Sequence, residues 1–272
     1  MHESPIIHLA GLDIDLSIVL MLVVTCAIVF LIARLATRNL SVENPGKMQN
    51  FLEWVVEFVQ GLISSTMDLK KGKPFLSLGM TLIMFIFVGN MLGLPFGIVT
   101  EYHDASKAHI FGHELVTVTE KLHTEEAAHP GEEAEVGVAW WKSPTADPAV
   151  ALGLAGLIFV MVHFLGLTRN TKGYLKHYFQ PFWFFFPINL IEQFSKLLTH
   201  GMRLFGNIFA GEVLISVLVQ LGSSGPIGTV ASIPFLVIWQ GFSIFVGSIQ
   251  AFVFTILTFV YISQAIDTHE EH

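Results

Sequence analysis

Charged side chains are few in this chain: Asp, Glu, Lys and Arg make up 13% of its 272 residues, where a soluble domain carries about a quarter. Hydrophobic residues make up 53% and the mean hydropathy is +0.63, so the shortage of charge points to a polytopic membrane protein. The single cysteine, Cys26, excludes an internal disulfide and argues against redox chemistry. There is no Gly-x4-Gly-Lys-Ser/Thr loop to cradle phosphates, no Gly-x-Ser-x-Gly turn and no His-Glu-x-x-His, so nucleotide and hydrolytic chemistry lack their usual groups. Met1 to Asp15 also lacks the basic start of a secretory signal, and the first apolar run ends at Arg34 and Arg38 instead of a small-residue cleavage site. The first helix is therefore expected to stay in the protein.

What is present is long uncharged sequence. Leu16 to Ala33, Phe75 to Thr100 and Ala149 to Leu167 contain no Asp, Glu, Lys or Arg, and about 20 apolar residues suffice to cross a bilayer. Spans are expected over 16–33, 75–100 and 149–167. Arg34, Arg38, Lys47, Lys70, Lys71 and Lys73 crowd the connection after the first span, and Arg169, Lys172 and Lys176 the one after the third. Both are predicted to be cytoplasmic. The acidic, histidine-bearing loop 101–147, with Glu125, Glu126, Glu132, Glu133 and Glu135, then lies outside together with the amino terminus, and the tail 267–272 lies in the cytoplasm.

Within the first connection, Met48, Phe51, Leu52, Val55, Val59, Leu62 and Ile63 fall on one side of a 3.6-residue helix, and Asn50, Glu53, Glu57, Gln60 and Ser64 on the other. With Asn44-Pro45 as its start signal, an amphipathic helix is expected over 45–68, at the membrane surface or against a partner helix.

The last third is too long for ordinary spans. No proline interrupts Pro187 to Pro226, and a helix over most of that stretch would measure roughly 50 to 60 Å against a hydrocarbon core of about 30 Å. After the turn Gly222-Ser223-Ser224-Gly225-Pro226, Ile233 to Ile266 is a second overlong, uncharged helix. Residues 181–266 are read as a strongly tilted helical hairpin. The fold class is thus an all-α polytopic membrane protein, a single membrane domain with five embedded helices and one amphipathic surface helix.

Inside that hairpin stands Arg203. A guanidinium near a bilayer centre costs at least about 2.5 to 3.5 kcal/mol, and intramembrane ionisable residues generally mark ion or proton routes. At 100° per residue, Asn189, Glu192, Lys196, Thr199, His200, Arg203 and Asn207 form one polar stripe, while Glu212 points to the opposite side with Ser216 and Gln220. Glu192 and Lys196 have the spacing of an intrahelical ion pair. On the partner helix Gln240, Ser243, Gly247, Gln250 and Tyr261 share a side, which suits either interhelical hydrogen bonding or a proton path. Gly201, Gly206 and Gly211 remove bulk around the arginine.

The run Arg203-Leu204-Phe205-Gly206-Asn207, with Ala210-Gly211-Glu212 and Gln250-Ala251-Phe252, resembles subunit a of the rotary F-type ATP synthase. Trp141-Lys142-Ser143-Pro144-Thr145-Ala146-Asp147-Pro148 is similar to the family's approach to its third span. The resemblance implies a non-catalytic stator that passes protons through two half-channels to and from a ring of c subunits. It implies further partners in the peripheral-stalk b subunits and the rest of the synthase, and no cofactor. The family's essential arginine maps onto Arg203, its asparagine onto Asn207, its outer-channel glutamate onto Glu212 and its glutamine onto Gln250. Ser243 stands where some relatives have histidine, so a Glu-His relay does not carry over. Gln240, Ser243, Tyr261, Lys196, Glu192 and His200 are secondary candidates for the path. A bacterial plasma membrane is the expected location, and no nucleic-acid partner is expected.

The alternative is a secondary transporter or ion channel with an intramembrane arginine, but the two halves of the chain show no inverted repeat. His109-x3-His113-Glu114, with His103, His123 and His129 nearby, has a zinc-like spacing only on a helix; no metal is expected. His163, alone in an apolar span, is read as a packed side chain. Trp140 and Trp141 are placed at the outer interface.

Overall fold

The computed structural model describes residues 3–9, 11–94, 98–104, 107–110, 112–128, 134–169, 171–179 and 182–266. The tail 267–272 and the loop residues His129, Glu132 and Glu133 lie outside the described residues. In chain order the elements are strands β1 (Ile6–Leu9) and β2 (Leu12–Asp15), helix α1 (Leu16–Thr37), helix α2 (Lys47–Thr66), the short α3 (Leu69–Gly72) and helix α4 (Leu76–Leu92). The loop that follows holds β3 (Val99–Tyr102), β4 (His109–Ile110), β5 (His113–Glu114), α5 (Val116–Ala128) and β6 (Val136–Ala139). Then come α6 (Pro148–Arg169), α7 (Thr171–Tyr178), α8 (Phe186–Ser223) and α9 (Pro226–Ile266). Among the described residues, five helical segments are long and apolar enough to cross a membrane, including Trp183–Ser223 and Pro226–Ile266 at 41 residues each.

Several boundaries differ from the sequence reading. The second span ends at Leu92 instead of running to 100. Gly93 lacks a side chain, and Leu94 precedes Pro95, which disfavours the helical region for Leu94. Trp141 Nε1 donates to the freed Leu92 carbonyl at 2.6 Å, and Val99–Tyr102 pairs antiparallel with Val136–Ala139. The amphipathic helix opens at Lys47 with Gly46 at its cap position. The final helix begins at Pro226 and carries Pro234 inside it; proline suits a first helical position because its missing N–H would be unpaired there anyway.

The chain falls into two compact units, Met1–Ala27, Gly89–Pro144 and Gly211–Ile244 in the first, and Ile28–Val88, Thr145–Ala210 and Phe245–His272 in the second. The first holds the strands and α5. Strands β1 and β2 pair as a hairpin from Ile6↔Asp15 to Leu9↔Leu12, with Gly11 at φ 83° in the turn, a conformation open to glycine at little cost. Ile7 packs with Leu115, Val118 and Leu122 from around α5 and with Val136 and Val138 of β6. Lys121 of α5 pairs with Glu3, and Thr117 Oγ1 donates to the Ser4 carbonyl at 2.6 Å. In the same unit the distal parts of α8 and α9 run antiparallel: Thr229 Oγ1 donates to the Gly222 carbonyl at 2.7 Å and Trp239 Nε1 to the Gly211 carbonyl at 3.2 Å.

The second unit holds the larger apolar core, built from Val55, Val59, Leu62 and Ile63 of α2, Leu82 and Ile86 of α4, Ala155, Ile158 and Val162 of α6, Leu204 of α8, and Phe254, Phe259 and Ile262 of α9. The apolar face of α2 thus packs on the chain's own bundle. Val59 and Ile63 are fully buried, each removal from water being worth about 1.5 to 3 kcal/mol. Trp54, Phe51 and Met48 on the same helix stay exposed. Among membrane helices the lipid is as apolar as the side chains, so close approach through small residues matters more. A Cβ on Gly201 would lie 2.8 Å from Leu152 Cδ2 and 3.2 Å from the Ala151 carbonyl oxygen. Gly201→Leu is therefore expected to force α8 from α6, at about 1 to 3 kcal/mol or more for overpacking, and to cut the level of folded protein in the membrane several-fold. A normal level would show that the contact is not needed.

Candidate functional site

In the second unit the polar stripe of α8 is divided by its neighbour. His200 is buried, stacked on Phe254 with centroids 3.9 Å apart and edge-on to Tyr261 at 5.5 Å, and neither ring nitrogen has a hydrogen-bond partner. Arg203, three residues later, lies on the exposed side, and makes no hydrogen bond or ion pair to another described residue. Asn207, also exposed, reaches α9: its Nδ2 donates to Gln250 Oε1 at 3.0 Å. Gln250 itself is 2% exposed and its Nε2 is unpaired, so this amide pair is held from the α9 side by packing. Glu192 and Lys196 form the i to i+4 ion pair at 2.8 Å. Gly206 faces open space, so no described residue covers the backbone beside Arg203 there.

The exposed side of α8 around Arg203 is polar, with Glu192, Thr199 and Asn207 uncovered, while the apolar Phe194, Leu198, Met202 and Phe209 are uncovered on the other sides of the helix. Among the five membrane-length segments of the described residues, Trp183–Ser223 has the least buried apolar stretch. A cation on the uncovered side of a membrane helix is poorly solvated by lipid, and its charge needs either water or a carboxylate.

Glu212 belongs to the first unit. Its Oε1 accepts the Ser143 backbone N–H at 2.9 Å, and Ser143 Oγ donates to the Gly89 carbonyl at 3.1 Å. Next to Ser143, Lys142 Nζ donates to Asp15 Oδ2 at 2.7 Å and to Ser4 Oγ at 2.8 Å. Ser243 is buried with its Oγ unpaired, 3.6 Å from where a Cβ on Gly211 would stand. Gln240 Nε2 donates to the Leu94 carbonyl at 3.1 Å.

The structure therefore brings Asn207 to Gln250, His200 to Tyr261 and Ser243 to the backbone beside Glu212, and gives Gln240 a backbone partner. The sequence reading missed Asp15 altogether and met Lys142 and Ser143 only as part of a resembling run. The available signal was an aspartate immediately before the first span and a lysine after two tryptophans, neither informative alone. His163 is hydrogen-bonded, Nδ1 with the Phe159 carbonyl at 2.8 Å and Nε2 with Tyr178 Oη at 3.0 Å. His109 and His113 lie on paired strands, His109 opposite Glu114, not four apart on a helix. Trp140 Nε1 donates to Thr100 Oγ1 at 2.8 Å.

Comparison with known proteins agrees over almost the full length. The family model for the ATP synthase A chain matches residues 19–263. The chain is 47% identical over 269 residues to the ATP synthase subunit a of Priestia megaterium, covering 98% of each. It is 49% identical to that of Macrococcus caseolyticus, covering 98% of this chain and 99% of the relative. To the Bacillus subtilis subunit it is 44% identical, covering 97% and 98%.

Proposed function

From the premise that the chain belongs to the ATP synthase A chain family, we propose that it is the fixed proton-conducting subunit of an F-type ATP synthase, working against a rotating ring of carboxylate-bearing c subunits. The observation that carries this reading is Arg203, an uncompensated cation on the uncovered side of an otherwise apolar membrane-length helix, α8. A ring carboxylate moving through a low-dielectric interface is uncharged by preference, because desolvation penalises the anion. A fixed guanidinium about 4 Å away supplies about 4 kcal/mol at an effective dielectric of 20, enough to drive proton release. Arginine serves because its own charge does not titrate away.

The remaining residues divide between two half-channels. Glu212, on the opposite side of α8 by helical periodicity, exchanges protons with the outer solution, with Ser243 as a neighbouring hydroxyl. Asn207, tied to Gln250, keeps an amide beside the arginine on the exposed side. His200, Tyr261 and the Glu192–Lys196 pair belong to the segment of α8 and α9 that precedes Arg203 on the cytoplasmic side. A proton entering at Glu212 must ride the ring to leave, since the guanidinium blocks direct transfer. The membrane field adds about 2.3 kcal/mol per proton per 100 mV. The chain is non-catalytic, spans the bacterial plasma membrane with its amino terminus outside and its carboxyl terminus inside, and contacts the peripheral-stalk b subunits as well as the ring.

The docking half of the reading is tested by cross-linking. Ala210 and Leu214 follow Arg203 on the same side of α8 and are exposed. In a Cys26→Ser chain, cysteines at 210 and 214 are expected to form disulfides with cysteines on the outer helix of the ring. A cysteine at Leu157 of α6, 70% exposed, should not. Equal cross-linking from 157, or none from 210 and 214, would refute the assignment of this face to the ring.

A further inference from the structure

We infer that Lys142 and Asp15 are a positioning pair for proton transfer: they fix the Ser143 peptide N–H against the Glu212 carboxylate, so that the last turn of the external loop sets the orientation of the proton relay. This inference rests on the reading of Glu212 as the outer relay, and extends it to three residues that the family motif does not single out as proton carriers.

The geometry is a short chain of contacts within the first unit. The Ser143 amide donates to Glu212 Oε1 at 2.9 Å, which leaves Oε2 as the oxygen that takes a proton from the outer water and passes it on. A carboxylate on a flexible side chain otherwise rotates between equivalent states, and transfer requires hydrogen-bond reach in a defined direction. The Ser143 amide is itself held by three sets of contacts. Its own hydroxyl donates to the Gly89 carbonyl. Gly93 packs so closely that a Cβ there would lie 2.7 Å from Ser143 N and 2.9 Å from its Cα. Lys142, one residue earlier, is tied to Asp15 at 2.7 Å and to Ser4 at 2.8 Å.

Asp15 is built to hold that lysine. Its Oδ1 accepts the Ser17 N–H at 2.9 Å and the Ser17 hydroxyl at 2.5 Å, capping α1, and leaves Oδ2 to Lys142. Burial works against the Asp15 anion, but the hydrogen bonds from Lys142 and Ser17 and the lysine's charge outweigh it and hold the carboxyl below its ordinary range. Both side chains of the pair are largely buried, 20% exposed for Lys142 and 13% for Asp15. The contact also joins the amino-terminal hairpin to the loop, since Ser4 takes part in it and in the Thr117 hydrogen bond.

The test uses the whole synthase in inverted membrane vesicles at matched assembly, reading the initial rate of ATP-driven acidification. Lys142→Gln is expected to slow pumping several-fold, on the scale by which small misplacements of a transfer group reduce rates. Lys142→Arg should restore most of the rate because it keeps the ion pair. In a Glu212→Gln background Lys142→Gln should add no further loss, since groups acting through one another are non-additive. If Lys142→Gln slows the Glu212→Gln synthase by the same factor as the native one, or if arginine fails to rescue, the pair is merely structural and the inference is wrong. If Lys142→Gln does not assemble, Gly93→Ala presses a Cβ against the same amide and must show the same dependence on Glu212; additive loss there overturns the inference too. Full pumping by Glu212→Gln alone would instead sink the relay reading itself, a separate and recognisable failure.

Discussion

Arg203→Ala is expected to abolish ATP-driven acidification of inverted vesicles while the complex remains assembled. The argument is electrostatic. Arg203 lies on the uncovered face of α8 with no described partner within the chain, so its removal takes away no intramolecular ion pair and leaves the packing of His200 and Leu204 on the buried side in place. What is lost is the cation that a ring carboxylate meets. Without about 4 kcal/mol of stabilisation at 4 Å and a dielectric near 20, the ring site stays protonated across the interface, roughly a thousand-fold shift in its ionisation by the 1.4 kcal/mol per tenfold relation. The barrier to direct leakage also goes, so vesicles energised by other means are expected to become more permeable to protons. Arg203→Lys should not restore coupled synthesis, because an ammonium is a compact charge that loses its proton when desolvated. Undiminished acidification by assembled Arg203→Ala synthase would overturn the stator reading and reopen that of a transporter or channel.

The second large effect is expected at Glu212. Glu212→Gln keeps the size of the side chain and an oxygen to accept the Ser143 N–H, but its amide cannot take and release a proton at neutral pH. A general acid-base group typically contributes about 10²- to 10⁴-fold; because water and Ser243 offer a partial bypass, at least a ten-fold fall in proton flux is expected here. Assembly should be little changed, since no ion pair is broken. Glu212→Asp should retain part of the flux, its carboxylate being one methylene short of Ser143. Flux equal to the native protein at equal complex level would remove Glu212 from the path.

The two sets of residues differ in how legible they were. Arg203, Asn207 and Glu212 stand out in the sequence because they are local exceptions to an apolar helical pattern and because their run resembles a known family. The helices α1, α6, α8 and α9 were legible for a related reason: hydropathy over about 20 residues is a local quantity. The amphipathic α2 was also visible in its periodicity, but not which surface it would cover, since Val59 and Ile63 turned out to fill the chain's own core. The hairpin β1–β2 and strands β3 and β6 escaped notice. They are four residues long, and β3 pairs with a segment more than thirty residues away, a distance over which hydrophobic alternation carries no information.

The sequence by itself determined that the chain spans a membrane several times, that one arginine lies in the last, overlong hairpin, and that the motif around it belongs to a rotary ATP synthase subunit. Each of these is carried by composition or by residues close together along one helix. Only the tertiary structure decided which polar groups meet: Asn207 with Gln250, 43 positions apart, Ser143 with Glu212, 69 apart, and Lys142 with Asp15, 127 apart. The reason is physical. Local patterns arise from the repeat of the backbone, which every helix shares, whereas a hydrogen bond between distant residues depends on how close the backbones of separate elements can come, and that is set by packing at positions such as Gly93 and Gly201.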